Sequence, residues 1–179
     1  MKKDQLLHVL RAAAEISGEK SFVIVGSQAI LLALQAPDEA LTLSDEIDLY
    51  PSMAPEKSDA IDGAIGALSL FHDTYGYHAD GVSPETAVMP SDWMSRAFFQ
   101  YFDDLTAISP ELHDLCVSKC VAGRDKDADF VRCLLRDGHV LIGTLTDRIA
   151  LLDGQKFSIQ AIVSWAERRW LEAQNGLTP

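Results

Sequence analysis

Glu46 and Asp48, two carboxylates one residue apart in the run Glu46-Ile47-Asp48-Leu49-Tyr50, are the pair in this chain best spaced to hold a cation. The run alternates apolar and polar residues and ends at Pro51, so it reads as a strand with Glu46, Asp48 and Tyr50 on one face. Residues i and i+2 lie roughly 6.5–7 Å apart along a strand, so the two carboxylate side chains can converge on one or two hard cations. Two acids on one strand face repel unless a cation joins them; without one, the pair would be the solvated face of an edge strand. Mg²⁺ takes one or two protein carboxylates and completes its shell with water and substrate phosphates. Asp80, near the end of a later strand-like run, is placed to add a third carboxylate, as a metal ligand or as the base for an attacking hydroxyl. Its Ala-Asp-Gly context is also good turn chemistry. Upstream, Gly26 permits close backbone approach and Ser27 opens a helix, where free N–H groups and the helix dipole bind phosphate. Ser27 as a plain helix cap is the competing reading.

The elements that must position these residues can be read from periodicity. Residues 4–17 form an amphipathic helix with Leu6, Val9, Leu10, Ala13 and Ile16 on its apolar stripe, stopped by Gly18. Ser21–Val25 is a short β-branched run suited to a buried strand, and the helix after it, Ser27 onward, ends before Pro37. A polar connector, 37–44, leads to the Glu46–Tyr50 strand. Pro55–Leu70 is helical, weakened by Gly63 and Gly66, and Tyr75–Val82 is a third strand. Ala97–Phe102 and Leu105–Ile108 form a hairpin across Asp103-Asp104. After Pro110 the chain is helical: one helix ends at Gly123 and the next at Gly138, with two more at Thr144–Leu152 and Phe157–Gln174. The expectation is one compact α+β unit: a small mixed sheet in residues 1–108, and a helical half, 109–179, packed on it.

Composition bounds the partners. The 179 residues are 47% hydrophobic and 23% charged, enough for one self-sufficient domain. Lys+Arg is 15 against 27 Asp+Glu, a net charge of −12, which disfavours coating an extended nucleic acid. No apolar run approaches a membrane span. The Met-Lys-Lys start is followed by Asp4, His8, Arg11 and Glu15, unlike a signal peptide. Three cysteines suit reduced thiols and a cytoplasmic location. His113, Cys116 and Cys120 share a helix face, but free cysteines on such a face are more often small buried hydrophobes than zinc ligands. The histidines are scattered, and no His-x-Glu or Ser/His/Asp spacing points to a hydrolase.

The order "VIVGSQAILL", then "SDEIDLYP", then a carboxylate on a later strand resembles the nucleotidyltransferase superfamily of DNA polymerase beta. "DGVSPETAVMPSDWMSR" and "PELHDLCVSKCVAGRDKDADFVRCLL" are similar to bacterial nucleotidyltransferases related to abortive-infection and type IV toxin proteins. Glu46 stands where that pattern more usually has Asp, with Asp45 beside it on the opposite face. The resemblance implies transfer of a nucleoside monophosphate from an NTP to an acceptor hydroxyl on a protein, a tRNA end or a small molecule. Glu46, Asp48 and Asp80 would hold Mg²⁺ (or Mn²⁺), with Asp48, Asp80 and Lys119 catalytic. Gly26, Ser27, Lys119, Arg124 and Lys126 would bind the nucleotide. From the residues alone, Lys119 also reads as a lysine snorkelling from a buried face, and Arg124 as a complement to a helix C-terminus. Lys126 and Asp127 also read as the ordinary opening of the next helix. A cognate antitoxin and a homodimer, with Trp165 and Trp170 at its contact, are candidate partners. The alternative is an inactive binding or antitoxin-like module on the same fold.

Overall fold

The computed structural model describes residues 1–176; the last three residues of the expected helical half lie outside them. The fold is α+β, with a five-stranded mixed sheet and helices concentrated in the C-terminal half. The strands are β1 (Ser21–Ile24), β2 (Glu46–Pro51), β3 (His78–Gly81), β4 (Phe98–Phe102) and β5 (Leu105–Ser109), in the order β3-β2-β1-β5-β4. β1 runs antiparallel to β2 and parallel to β5; β2 and β3 are parallel, and β4 and β5 form the antiparallel hairpin. Asp103 takes a positive φ of 54° in that hairpin's turn, a conformation Asp tolerates better than most residues.

Helix α1 (Lys3–Ser17) buries Leu6, Val9, Leu10 and Ala13 and ends at Gly18 in the left-handed conformation. It lies beside α3 (Ser58–Ile65), which buries Ile61 and Ile65. The side-chain period of two decides which face of the sheet α3 covers. Ile47 and Leu49, both fully buried, pair with Ala79 and Gly81. A Cβ on Gly81 would lie 2.0 Å from the Ser58 carbonyl oxygen, so the face bearing Ile47, Leu49, Ala79 and Gly81 is the one against α3. Glu46, Asp48, His78 and Asp80 therefore share the opposite face. Central strand β1 is covered on both sides, Phe22, Val23 and Ile24 all being buried, which is why its sequence is an unbroken apolar run.

Three elements differ from the sequence expectation. The helix after Ser27 is a 3₁₀ turn, Ser27–Ala29, followed by one short helix α2 (Ile30–Ala33), and Leu34 is already extended. Ile30, Leu31 and Leu32 are all buried, and three consecutive inward residues do not fit the single stripe of a longer surface helix. The 55–70 helix is shorter as well: Pro55–Lys57 is a 3₁₀ turn, and α3 stops at Gly66. A further helix, α4 (Leu70–Tyr75), takes up what reads in sequence as the start of the third strand.

The chain divides into two compact units, Met1–Ala87 with Ala97–Ser109, and Val88–Arg96 with the residues from Pro110 onward. The second unit contains α5 (Leu112–Ala122), α6 (Asp125–Arg136), α7 (Ile142–Ile149) and α8 (Ile159–Gln174). It takes in Val88–Arg96, a stretch that lies before the hairpin in sequence, and Arg96 shows why. Its guanidinium holds the fully buried Asp114 of α5 at 2.8 and 3.1 Å and Asp92 at 2.6 and 2.9 Å. No helix among the described residues is long and apolar enough to cross a membrane.

The α3–β3 contact predicts opposite signs for two glycine substitutions. Gly81→Ala drives a methyl into the Ser58 carbonyl and is expected to cost about 1–3 kcal/mol, as overpacking does. Gly63→Ala, in α3 with nothing within 4 Å of its added Cβ, is expected to stabilise by up to about 1 kcal/mol. Urea denaturation followed by circular dichroism measures both.

Candidate cation and phosphate site

On the outward face of β2 and β3, parallel pairing sets Glu46 opposite His78 and Asp48 opposite Asp80. Glu46, His78 and Asp80 each offer one ligand atom, all within 4.8 Å of one another. His78 is buried, 6% exposed, and its Nε2 lies 3.2 Å from Asp80 Oδ1. Burial pushes the Asp80 carboxyl up; the charge of His78 pulls it down, and Glu46 and Asp62 push it up again, for a net rise. Like charge and partial burial at one spot are what a bound cation would relieve. Tyr50, next on the same face, is buried, and burial followed by the charge of Glu85 raises its phenol.

Asp48 is placed differently. The Val25 N–H donates to the Asp48 carbonyl at 2.9 Å, bringing the end of β1 against β2. An ideal Cβ on Gly26 would lie 1.8 Å from Asp48 Oδ2, so the carboxylate fills the space a side chain at Gly26 would need. Gly26 has φ 66° and ψ −163°, a region open essentially to glycine alone. Gly26, and not Ser27, occupies the capping place of the following turn; the half-buried Ser27 is the turn's first residue. Gln28, buried next to it, donates from Nε2 to the Ser44 carbonyl at 2.9 Å and so ties this turn to the residues entering β2.

The structure thus brings Gly26, Ser27, Glu46, Asp48 and Asp80 into one unit, with Asp48 against the glycine and Glu46 against Asp80. It also adds residues the sequence reading passed over. His78 precedes Asp80 by two, so strand alternation alone would have put both on one face. His72 in α4 stacks on it, ring centroids 4.3 Å apart, with Nε2 3.7 Å from Asp45 Oδ2. Asp45 does not point away from this group as alternation from Glu46 suggests. It lies just before β2, where the strand period no longer governs it, and it joins His72 and His78 in a second three-ligand group.

The remaining expected residues lie in the helical unit. Lys119 of α5 is buried, its ammonium 3.3 Å from Asp127 Oδ1 and 5.2 Å above the Phe130 ring. Arg124 donates to Asp127 from Nε at 2.7 Å, and Asp127 in turn caps the start of α6 through the Arg124 N–H at 3.3 Å. Burial pushes the Asp127 carboxyl up, but the Arg124 hydrogen bond and the charges of Lys119 and Arg124 outweigh it and hold the group low. Lys126 is exposed in the first turn of α6. In the same unit His113 contacts Glu111 through Nδ1 at 2.7 Å and accepts the Leu141 N–H at Nε2. Burial raises the thiols of Cys116 and Cys120, the latter to about 12.

A mixed sheet with a glycine turn after its central strand carries an acidic, histidine-bearing face on the neighbouring strands, and this face is the candidate site of an α+β protein. Residues 4–151 match the family described as nucleotidyltransferase of unknown function (DUF6036), and the chain belongs to that family. No curated protein and no solved structure matches the chain.

Two outcomes follow from this geometry. Gly26→Ala is expected to cost at least about 1–3 kcal/mol in backbone strain. A double-mutant cycle with Asp48→Ala should show the two costs to be non-additive, because removing the carboxylate relieves the clash and leaves only the strain. In the helical unit, Asp127→Ala strands the buried Lys119 charge and is expected to cost about 3–5 kcal/mol near neutral pH. The Asp127 carboxyl is held low, so its contribution is complete above the usual carboxylate range and is lost as pH falls through its lowered value. The gap between variant and wild type should therefore close in acid. All three tryptophans, Trp93, Trp165 and Trp170, lie in this unit, so their fluorescence follows its unfolding.

Proposed function

We propose that this chain transfers a nucleoside monophosphate from an NTP to an acceptor hydroxyl, and that Glu46, Asp48 and Asp80 hold the divalent ion the reaction uses. The observation that carries this reading is the shared face of β2 and β3, with Asp48 set against Gly26 where a phosphate-binding turn begins. Oxygens from Glu46 and Asp80 within 4.8 Å of a common histidine fit the donor set of a divalent ion. Glu46, one methylene longer than Asp, still reaches that group, so its length does not disqualify the pair. A divalent ion bound there would offset the triphosphate charge and favour in-line displacement with pyrophosphate leaving.

The chain's own residues account for the rest. The space beside the Gly26 backbone holds the Asp48 carboxylate, and the Ser27 hydroxyl at the start of the following turn supplies a donor for a phosphate oxygen. The new bond joins the acceptor oxygen to the α-phosphorus, and the bond to the β-phosphate oxygen breaks. The acceptor's proton passes to a carboxylate of the site, Asp80 being the candidate when it does not itself ligate the ion. The net charge of −12 favours a protein side chain or small molecule as acceptor over an extended nucleic acid. The sequence resemblance to toxin-type enzymes makes the end of a tRNA a further acceptor to test.

Calorimetric unfolding with Mg²⁺ or Mn²⁺ and each of the four NTPs tests the reading without knowledge of the acceptor. A ligand at 100 times its dissociation constant adds about 2.7 kcal/mol of stability. The expected result is stabilisation by at least one NTP that requires the divalent ion and is lost in Asp48→Asn. Unfolding unchanged by every NTP would replace the enzyme reading with that of an inactive binding module.

A further inference from the structure

We propose that His78 is a direct ligand of the ion held by Glu46 and Asp80, which makes the site a mixed imidazole–carboxylate one suited to later first-row transition ions such as Co²⁺ or Zn²⁺ over Mg²⁺. The inference rests on the reading of Glu46 and Asp80 as cation-holding residues and adds the identity of the ion.

Three observations carry it. The first is position: His78 and Asp80 alternate onto one face of β3, opposite Glu46 of β2, and the three ligand atoms lie within 4.8 Å of one another. The second is distance. Two ligands at about 2.0–2.1 Å from a tetrahedral ion stand about 3.3 Å apart, and His78 Nε2 lies 3.2 Å from Asp80 Oδ1. The third is the other ring nitrogen. His78 is 6% exposed, and its Nδ1 is buried without a hydrogen-bond partner. A buried polar atom left unpaired costs about 1–3 kcal/mol, so the ring is held through its Nε2 side alone, the side that meets Asp80. Imidazole is a borderline donor that suits later first-row ions such as Zn²⁺, whereas Mg²⁺ and Mn²⁺ favour oxygen.

The neighbouring group of Asp45, His72 and His78 is the weaker candidate. His72 Nδ1 accepts the Leu68 N–H at 3.2 Å, which leaves the proton on Nε2, the atom facing Asp45. His72 is thus set as a donor to Asp45, and its substitution serves as the control.

Zn²⁺ titrated into the nucleotide-free protein, followed by histidine side-chain ¹⁵N NMR, tests the proposal on the wild type. The chain has five histidines, few enough to assign one by one. The expected result is a large shift of a His78 ring nitrogen saturating with Zn²⁺ and absent with Mg²⁺. By calorimetry, His78→Gln should weaken Zn²⁺ binding tenfold or more, change Mg²⁺ binding less than twofold, and be matched by near wild-type Zn²⁺ binding in His72→Asn. Zn²⁺ binding with an unmoved His78 ring, or binding unchanged in His78→Gln, would overturn the proposal and leave the carboxylate reading standing. In that outcome His78 only orients Asp80. Failure of Zn²⁺ to bind would overturn this proposal alone, because the metal-dependent reading is decided separately by unfolding with the divalent ion and NTP together.

Discussion

Burial of Ile47 and Leu49 beneath α3 is the constraint on which the site depends. A fully buried aliphatic side chain is worth about 1.5–3 kcal/mol, and both residues are fully buried. A register slip of one residue would expose both and push Glu46 and Asp48 into the apolar layer. The same contact fixes β3, because Gly81 comes so close to the Ser58 carbonyl that no other residue fits without displacement. With β2 and β3 locked in parallel register, Glu46, Asp48, His78 and Asp80 have only the outer face to occupy. The chemistry-bearing face is thus a consequence of the apolar one.

Within that frame the acidic side chains do not behave alike. Asp48 rests in the space left by a glycine whose backbone conformation excludes other residues, an arrangement that couples the end of β1 to β2. Glu46 and Asp80 lean toward His78; burial first, and then the charges of Glu46 and Asp62, raise the Asp80 carboxyl against the pull of His78. The helical unit solves a different problem with similar groups. There the buried Asp127 meets Lys119 and Arg124 and is held low, its single negative charge set against two cations. Lys119 has the burial and pairing of a residue that holds two helices in place.

The strands and most helices were legible because their signals are local. The alternation of Glu46–Tyr50, the stripe of Leu6, Val9, Leu10 and Ala13, and the glycines after α1 and α5 each encode an element in a few neighbouring residues. What failed was a signal that depends on distant partners. The apolar run after Ser27 has the composition of a long helix, yet Ile30, Leu31 and Leu32 all turn inward and the helix ends at Ala33. Tyr75 reads as strand from its aromatic neighbours but closes α4, where it packs with Phe71, Tyr77 and His8.

By itself the sequence determined the order of the elements, the carboxylate pair on one strand face and the glycine ahead of it, because alternation and glycine's freedom are properties of a few adjacent residues. It also held the signal for His78, two residues before Asp80. Only the tertiary structure decided that Asp48 lies against Gly26 while Glu46 turns to Asp80, that Asp45 joins the histidines, and that Lys119 lies against Asp127. Those choices rest on which strands become neighbours and which charges are buried together. They are long-range matters, set by packing and desolvation, that spacing along the chain does not encode.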